Sequence, residues 1–106
     1  MSRRFDSRAL RQSARGKACT LQIVKVCNGG GETTVLAHAP SEWTGTGMKS
    51  PDWWGAFGCS ACHDYIDRRT KLDGKHISED EQRFYFYRGI ARTQDYWFRE
   101  EVLRVG

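Results

Sequence analysis

The sequence predicts a small α+β domain in which two strands and a helix form a core, a basic helix precedes it and further helices follow. Three observations carry this reading. Two β-branched runs lie at 20–26 and 33–38, and four cysteines (Cys19, Cys27, Cys59, Cys62) are spaced so that they can gather on one ion. Apolar residues then recur at helical spacing through the last third of the chain.

In chain order, residues 7–16 read as a short helix with Arg8, Arg11 and Arg15 on one face and Gly16 as its stop. Thr20-Leu21-Gln22-Ile23-Val24-Lys25-Val26 reads as a strand between two cysteines, and Asn28-Gly29-Gly30-Gly31 as a turn. Residues 33–38 read as a second strand that ends on His38. Pro40, Gly45, Gly47 and Pro51 mark 39–52 as loop, and Trp53-Trp54-Gly55-Ala56-Phe57 reads as a strand leading into the second cysteine pair. A helix is expected from Cys62 to about Thr70, then a turn at Leu72-Asp73-Gly74-Lys75. Ser78-Glu79-Asp80-Glu81 is a capping box, after which Phe84, Tyr87, Ile90, Ala91, Tyr96, Trp97, Val102 and Leu103 give one long helix or two joined ones.

A chain of 106 residues argues for one domain, with residues 1–17 as a basic N-terminal arm or helix and 18–106 as a single zinc-bound unit. With 28% charged residues and a mean hydropathy of −0.69, such a core benefits from a staple. Met1-Ser2-Arg3-Arg4-Phe5-Asp6 carries no apolar signal segment, so a cytoplasmic location and reduced thiols are expected, and metal binding is favoured over disulfides. No apolar run approaches the length of a membrane span, so no membrane partner is expected. The net charge of +4 is concentrated early: Arg3, Arg4, Arg8, Arg11, Arg15 and Lys17 face a single Asp6. This is either a phosphate-binding footprint or a solvated helix face.

Cys59-x-x-Cys62 places two thiolates on one tetrahedral ion from a single tight turn. Cys19 and Cys27 are separated by seven residues, so the segment between them must loop out and return. Four thiolates would make the zinc structural, with no open position for water. The alternative is four buried thiols packed as small hydrophobes.

Adjacent residues on a helix point about 100° apart, so if Cys62 faces the zinc, His63 faces elsewhere. Asp67 lies four residues later on the same face. Together the two suit a hard divalent ion such as Mg²⁺ or Mn²⁺; alternatively His63 packs and Asp67 pairs with Arg68 or Lys71. His38, at the end of an apolar strand, is either a satisfied edge residue or a proton acceptor.

A strand ending in histidine, a loop, then Cys-x-x-Cys-His opening a helix resembles the HNH, or ββα-metal, nucleases. Closer still is a resemblance to the small phage and prophage nuclease family typified by YbcO and related to Ref, a nuclease that works with RecA filaments. The residues that carry it are Ala14-Arg15-Gly16-Lys17-Ala18-Cys19, Val26-Cys27-Asn28-Gly29, Glu32-Thr33-Thr34-Val35-Leu36-Ala37-His38 and Gly55-Ala56-Phe57-Gly58-Cys59-Ser60-Ala61-Cys62-His63-Asp64. Ile90-Ala91-Arg92-Thr93-Gln94-Asp95-Tyr96-Trp97 adds to them, so the likeness runs from about residue 11 to 104.

The resemblance implies a zinc-stapled HNH-like core and a metal-dependent DNA endonuclease of phage type, acting in DNA recombination or processing. It gives His38 the role of general base on water and His63, helped by Asp67, that of holding one Mg²⁺ or Mn²⁺ at the scissile phosphate. Arg11, Arg15, Lys17, Arg68 and Arg69 are the expected phosphate contacts. Two departures stand out. Ala37 replaces the Asp or His ligand that many such enzymes carry just before the base, and the Asn of the family name has no match. Asp52, seven residues before Cys59, lies near its place and is expected to orient His38; alternatively, His38 is itself a ligand.

DNA is the implied partner, with RecA or a phage recombination protein as a further one, and the chain is expected to act as a monomer or small homo-oligomer. The competing function is a non-catalytic zinc module that binds nucleic acid or a recombination protein. Trp53 and Trp54 either stack on unpaired bases or fill the core.

Overall fold

A computed structural model describes residues 7–40 and 50–103, in the order α1 (Arg8–Ser13), β1 (Val35–His38), β2 (Gly55–Gly58), α2 (Ser60–Ile66) and α3 (Glu79–Arg99). The strands pair antiparallel, with Leu36 opposite Phe57, Ala37 opposite Ala56 and His38 opposite Gly55. A strand–strand–helix order is therefore present, as a two-stranded α+β core, with its strands drawn from the expected runs at 33–38 and 53–57 and not from 20–26.

The pleat sorts the hairpin's side chains onto two faces. Ala37 and Ala56 point into a first core with Leu21, Ile23, Tyr65, Ile66, Ile77, Phe86 and Ile90. Leu36 and Phe57 point into a second core with Leu10, Ala14 and Trp97. A 21-residue helix, α3, crosses β2, and Gly89 permits the approach: a Cβ there would meet Ala56 Cβ at 2.8 Å and Leu21 Cδ2 at 2.9 Å. Thr93, fully buried, satisfies its hydroxyl against Thr20 Oγ1 (3.0 Å) and accepts from the Phe57 amide (3.1 Å).

Local chemistry sets the element ends. Ser7 and Ser78 cap α1 and α3, each accepting an amide of the first turn, and the Ser78 hydroxyl also donates to the Glu81 carboxylate (3.0 Å). The C-terminal segment is thus one helix. The strand expected before the second cysteine pair starts later, at Gly55, because Trp54 N donates to Pro51 O (2.9 Å) and holds 51–54 in a turn. Helix α2 starts earlier than expected, with Cys59 as its N-cap, and stops at Ile66; Arg68 then takes a φ of +61°.

The strand expected over 20–26 does not form. Leu21 and Ile23 are buried as an alternating pattern requires, but Gln22 and Lys25 have φ of +48° and +65°, and Val24 is exposed. The segment folds into a loop because Cys19 and Cys27 have to return to one point. Most of the expected 39–52 loop, and Arg3, Arg4 and Asp6, lie outside the described residues.

Candidate functional site

The loop at 19–27 and the N-terminus of α2 bring all four cysteines together as free thiols, with every sulfur within 4.8 Å of the others. Among the described residues this is the only group of three or more such ligands. Cys27 Sγ and Cys59 Sγ stand 3.9 Å apart, close to the edge of about 3.8 Å that four Zn–S bonds of about 2.3 Å define in a tetrahedron. Backbone amides point at the sulfurs: Gln22 N at Cys19 (3.5 Å), Asn28 N and Cys62 N at Cys59 (3.4 and 3.3 Å) and Gly29 N at Cys27 (3.3 Å). Such donors stabilise thiolates and orient them. The Cys62 thiol, by donating to Cys19, holds the latter down to about 4, while the same bond and burial push Cys62 up. These residues fit a metal such as zinc, which would satisfy all four sulfurs at once.

At the far end of β1, His38 Nε2 lies 2.7 Å from Asp52 Oδ1. The carboxylate is nearly fully buried, and its other oxygen accepts from Ser7 N (2.5 Å) and Arg11 Nη1 (2.6 Å). Burial alone would raise the Asp52 pKa. The Ser7 amide, the His38 ring and the Arg11 guanidinium more than offset it and hold the carboxyl below its usual range. With its Nε2–H directed at this carboxylate, the His38 ring leaves Nδ1 without a partner among the described residues. Asp52 thus meets His38, as the sequence suggested.

On α2, His63 Nε2 lies 3.1 Å from Asp67 Oδ2, the contact expected of residues four apart. The cation beside them is Arg69. Its Nη2 is 3.2 Å from His63 Nδ1, 3.0 Å from Asp64 Oδ1 and 3.5 Å from Asp67 Oδ2. No hydrogen bond or ion pair among the described residues joins this cluster to the His38–Asp52 pair.

The remaining basic residues differ in how free they are. Arg11 is committed in part to Asp52, whereas the Arg15 side chain has no polar partner among the described residues. Lys17 places its ammonium 5.6 Å from the centroid of the Tyr96 ring, and Arg68 is exposed after α2. Trp53 and Trp54 are half-buried, the latter donating from Nε1 to Pro40 O (3.1 Å), so core packing accounts for them. Sequence reasoning missed three participants: Ser7 and Arg11 as partners of Asp52, and Asp64 beside His63. Ser7 opens the helix expected over 7–16, but it was not read as a cap and nothing in the pattern linked it to a residue 45 positions away.

The strand–strand–helix core and four-thiol centre define a small α+β domain whose four cysteines could hold a metal such as zinc. A family model described as "Putative nuclease YbcO" matches residues 8–102, and the chain belongs to that family. It is 45% identical over 98 residues to "Putative nuclease YbcO" of Escherichia coli K12, covering 91% of this chain and 97% of that protein. A relative of the same description from Enterobacteria phage 82 matches to the same extent. A solved structure of a "putative bacteriophage protein" from Escherichia coli K-12 MG1655 superposes with a TM-score of 0.70 at 40% identity, covering 88% of this chain and all of that one.

Proposed function

We propose that the chain is a metal-dependent DNA endonuclease of the HNH type, working in phage or prophage recombination or DNA processing. The observation that carries the proposal is the His38–Asp52 pair, 2.7 Å apart, in a chain whose relatives are described as nucleases. His38 Nδ1 takes the proton of a water that attacks the phosphorus. Asp52 fixes the ring and stabilises it once protonated, because a buried carboxylate held by two other donors cannot turn away. The four cysteines are structural: they pin the 19–27 loop to α2 and take no part in the reaction.

His63 and Asp67 are assigned to a Mg²⁺ or Mn²⁺ ion, which would offset the charge growing on the phosphate and the leaving oxygen. The donor set suits a hard cation, and the Arg69 guanidinium already sits against both residues. Arg69 has to withdraw for an ion to enter, and on leaving becomes free to grip a phosphate with Arg68. Arg11, Arg15 and Lys17 are assigned to phosphates on the other side. The phage relative supports a bacterial cytoplasm as the place of action; a recombination protein such as RecA is the targeting partner assigned in this reading.

The test is cleavage of linear, circular and branched DNA with and without Mg²⁺ or Mn²⁺. The wild type is expected to cut, and His38→Ala to bind DNA and zinc normally while cutting at least about 100-fold more slowly. Undiminished cutting by His38→Ala overturns the general-base assignment. The Arg69 contacts favour a second reading, a zinc-stabilised module that binds nucleic acid or a recombination protein without catalysis. Salt-sensitive binding with no cutting under any divalent ion would establish it.

A further inference from the structure

We propose that the groove between α1 and β1 seats a nucleic-acid strand beside the scissile bond, with Arg15 gripping a backbone phosphate and Arg11 fixing where that phosphate lies relative to His38. The proposal deepens the nuclease reading and rests on it for the role of His38. The groove encloses about 650 Å³ and is lined by Arg11, Arg15, Glu32, Thr34 and Leu36. One wall is β1, the strand that ends on His38.

Arg11 and Arg15 are four residues apart, and the bond from Arg15 N to Gln12 O (3.1 Å) keeps the chain helical enough for both to share a face. Their situations differ. The Arg15 guanidinium has no acceptor among the described residues, so none of them takes up its donors. Arg11 spends one nitrogen on Asp52, and its side chain is still 46% exposed. It is the residue that both lines the groove and touches the carboxylate holding His38. A phosphate on the outer edge of Arg11 is therefore linked through Asp52 to the imidazole by three successive hydrogen bonds. Two guanidinium groups against the single Glu32 carboxylate make the groove attractive to a polyanion, and Glu32 bounds the attractive stretch. Arg11 is a positioning residue, since it acts on the base through Asp52.

Binding of fluorescein-labelled single-stranded and duplex oligonucleotides, measured by anisotropy without added Mg²⁺, tests the clamp. Arg15→Ala is expected to weaken binding about tenfold and lower the salt slope by about 0.7–0.9, the share of one phosphate contact. Glu32→Gln is expected to tighten binding. Arg99→Ala, whose arginine pairs with Asp95 at the end of α3, is expected to change neither. For Arg11 the readout is the ring-nitrogen NMR signals of His38. They should shift when oligonucleotide binds the wild type, shift less in Arg11→Ala, and recover in part in Arg11→Lys; an equal shift in Arg11→Ala removes Arg11 from the link. Unchanged affinity and slope in Arg15→Ala overturns the groove, and does so even where His38→Ala has abolished cutting. Arg15-dependent binding by a protein that never cuts keeps the groove and removes the nuclease reading instead.

Discussion

Asp52 accepts from Ser7, Arg11 and His38 while nearly fully buried. Its folded pKa is lowered, so its contribution to stability is fully present above the unfolded value of about 3.9 and is lost as pH falls through the lower folded value. Thermal melts should therefore show the wild type losing stability as pH drops below about 4. Asp52→Asn should be less stable at pH 7, by about 1–3 kcal/mol, and should lack that acid limb. A second expectation concerns Arg69, which holds His63, Asp64 and Asp67 with one guanidinium nitrogen. Removing this resident cation in Arg69→Ala should tighten Mn²⁺ binding, read by electron paramagnetic resonance of free Mn²⁺; weaker binding would mean that Arg69 supports the ion rather than competing with it.

At the level of elements, legibility followed how local the deciding physics was. Helix α3 was readable from its capping box and apolar spacing, because both act within a few residues. The second strand and the Cys59 turn were readable for the same reason. The supposed strand at 20–26 was misread because its β-branched pattern was overruled by a long-range demand, the closing of Cys19 and Cys27 on a common point. The pairing of His38 with Asp52 was readable as a neighbourhood but not as a geometry. If the thiol centre is what bends that loop, then Cys59→Ser or Cys62→Ser should release zinc and abolish cooperative unfolding, as measured by metal analysis and circular dichroism. The α3–β2 contact makes a separate prediction. Gly89→Ala gains up to about 1 kcal/mol of helix propensity but pushes a methyl to within 2.8 Å of Ala56 Cβ, so a net loss of about 1–2 kcal/mol is expected. In a domain of this size that lowers the melting temperature by about 5 °C or more.

Over the whole molecule, no helix among the described residues is long and apolar enough to cross a membrane. The two cores flank a thin hairpin, and the second is filled from both ends of the chain: Leu10 and Ala14 from α1 meet Trp97 from α3. Deleting residues 1–17 should therefore lower thermal stability as well as nucleic-acid affinity, because Trp97 loses both its apolar neighbours and the Ser13 hydroxyl that accepts its indole N–H at 2.7 Å. The first seventeen residues are legible in sequence as a basic surface; that their helix also roofs a core was not, since only Leu10 and Ala14 signal it.

The indole–serine contact spans 84 residues, and this separation bears on how the protein is made. A ribosome releases α1 before it reaches Trp97, so until then the opening helix has only Leu36 and Phe57 of this core to pack against. Ser7 and Arg11, the anchors of Asp52, travel with that helix, and its seat is complete only once Trp97 has been added. Synthesis of the opening helix and completion of the core that seats it are thereby separated in time, so the two ends of the chain close this half of the molecule last.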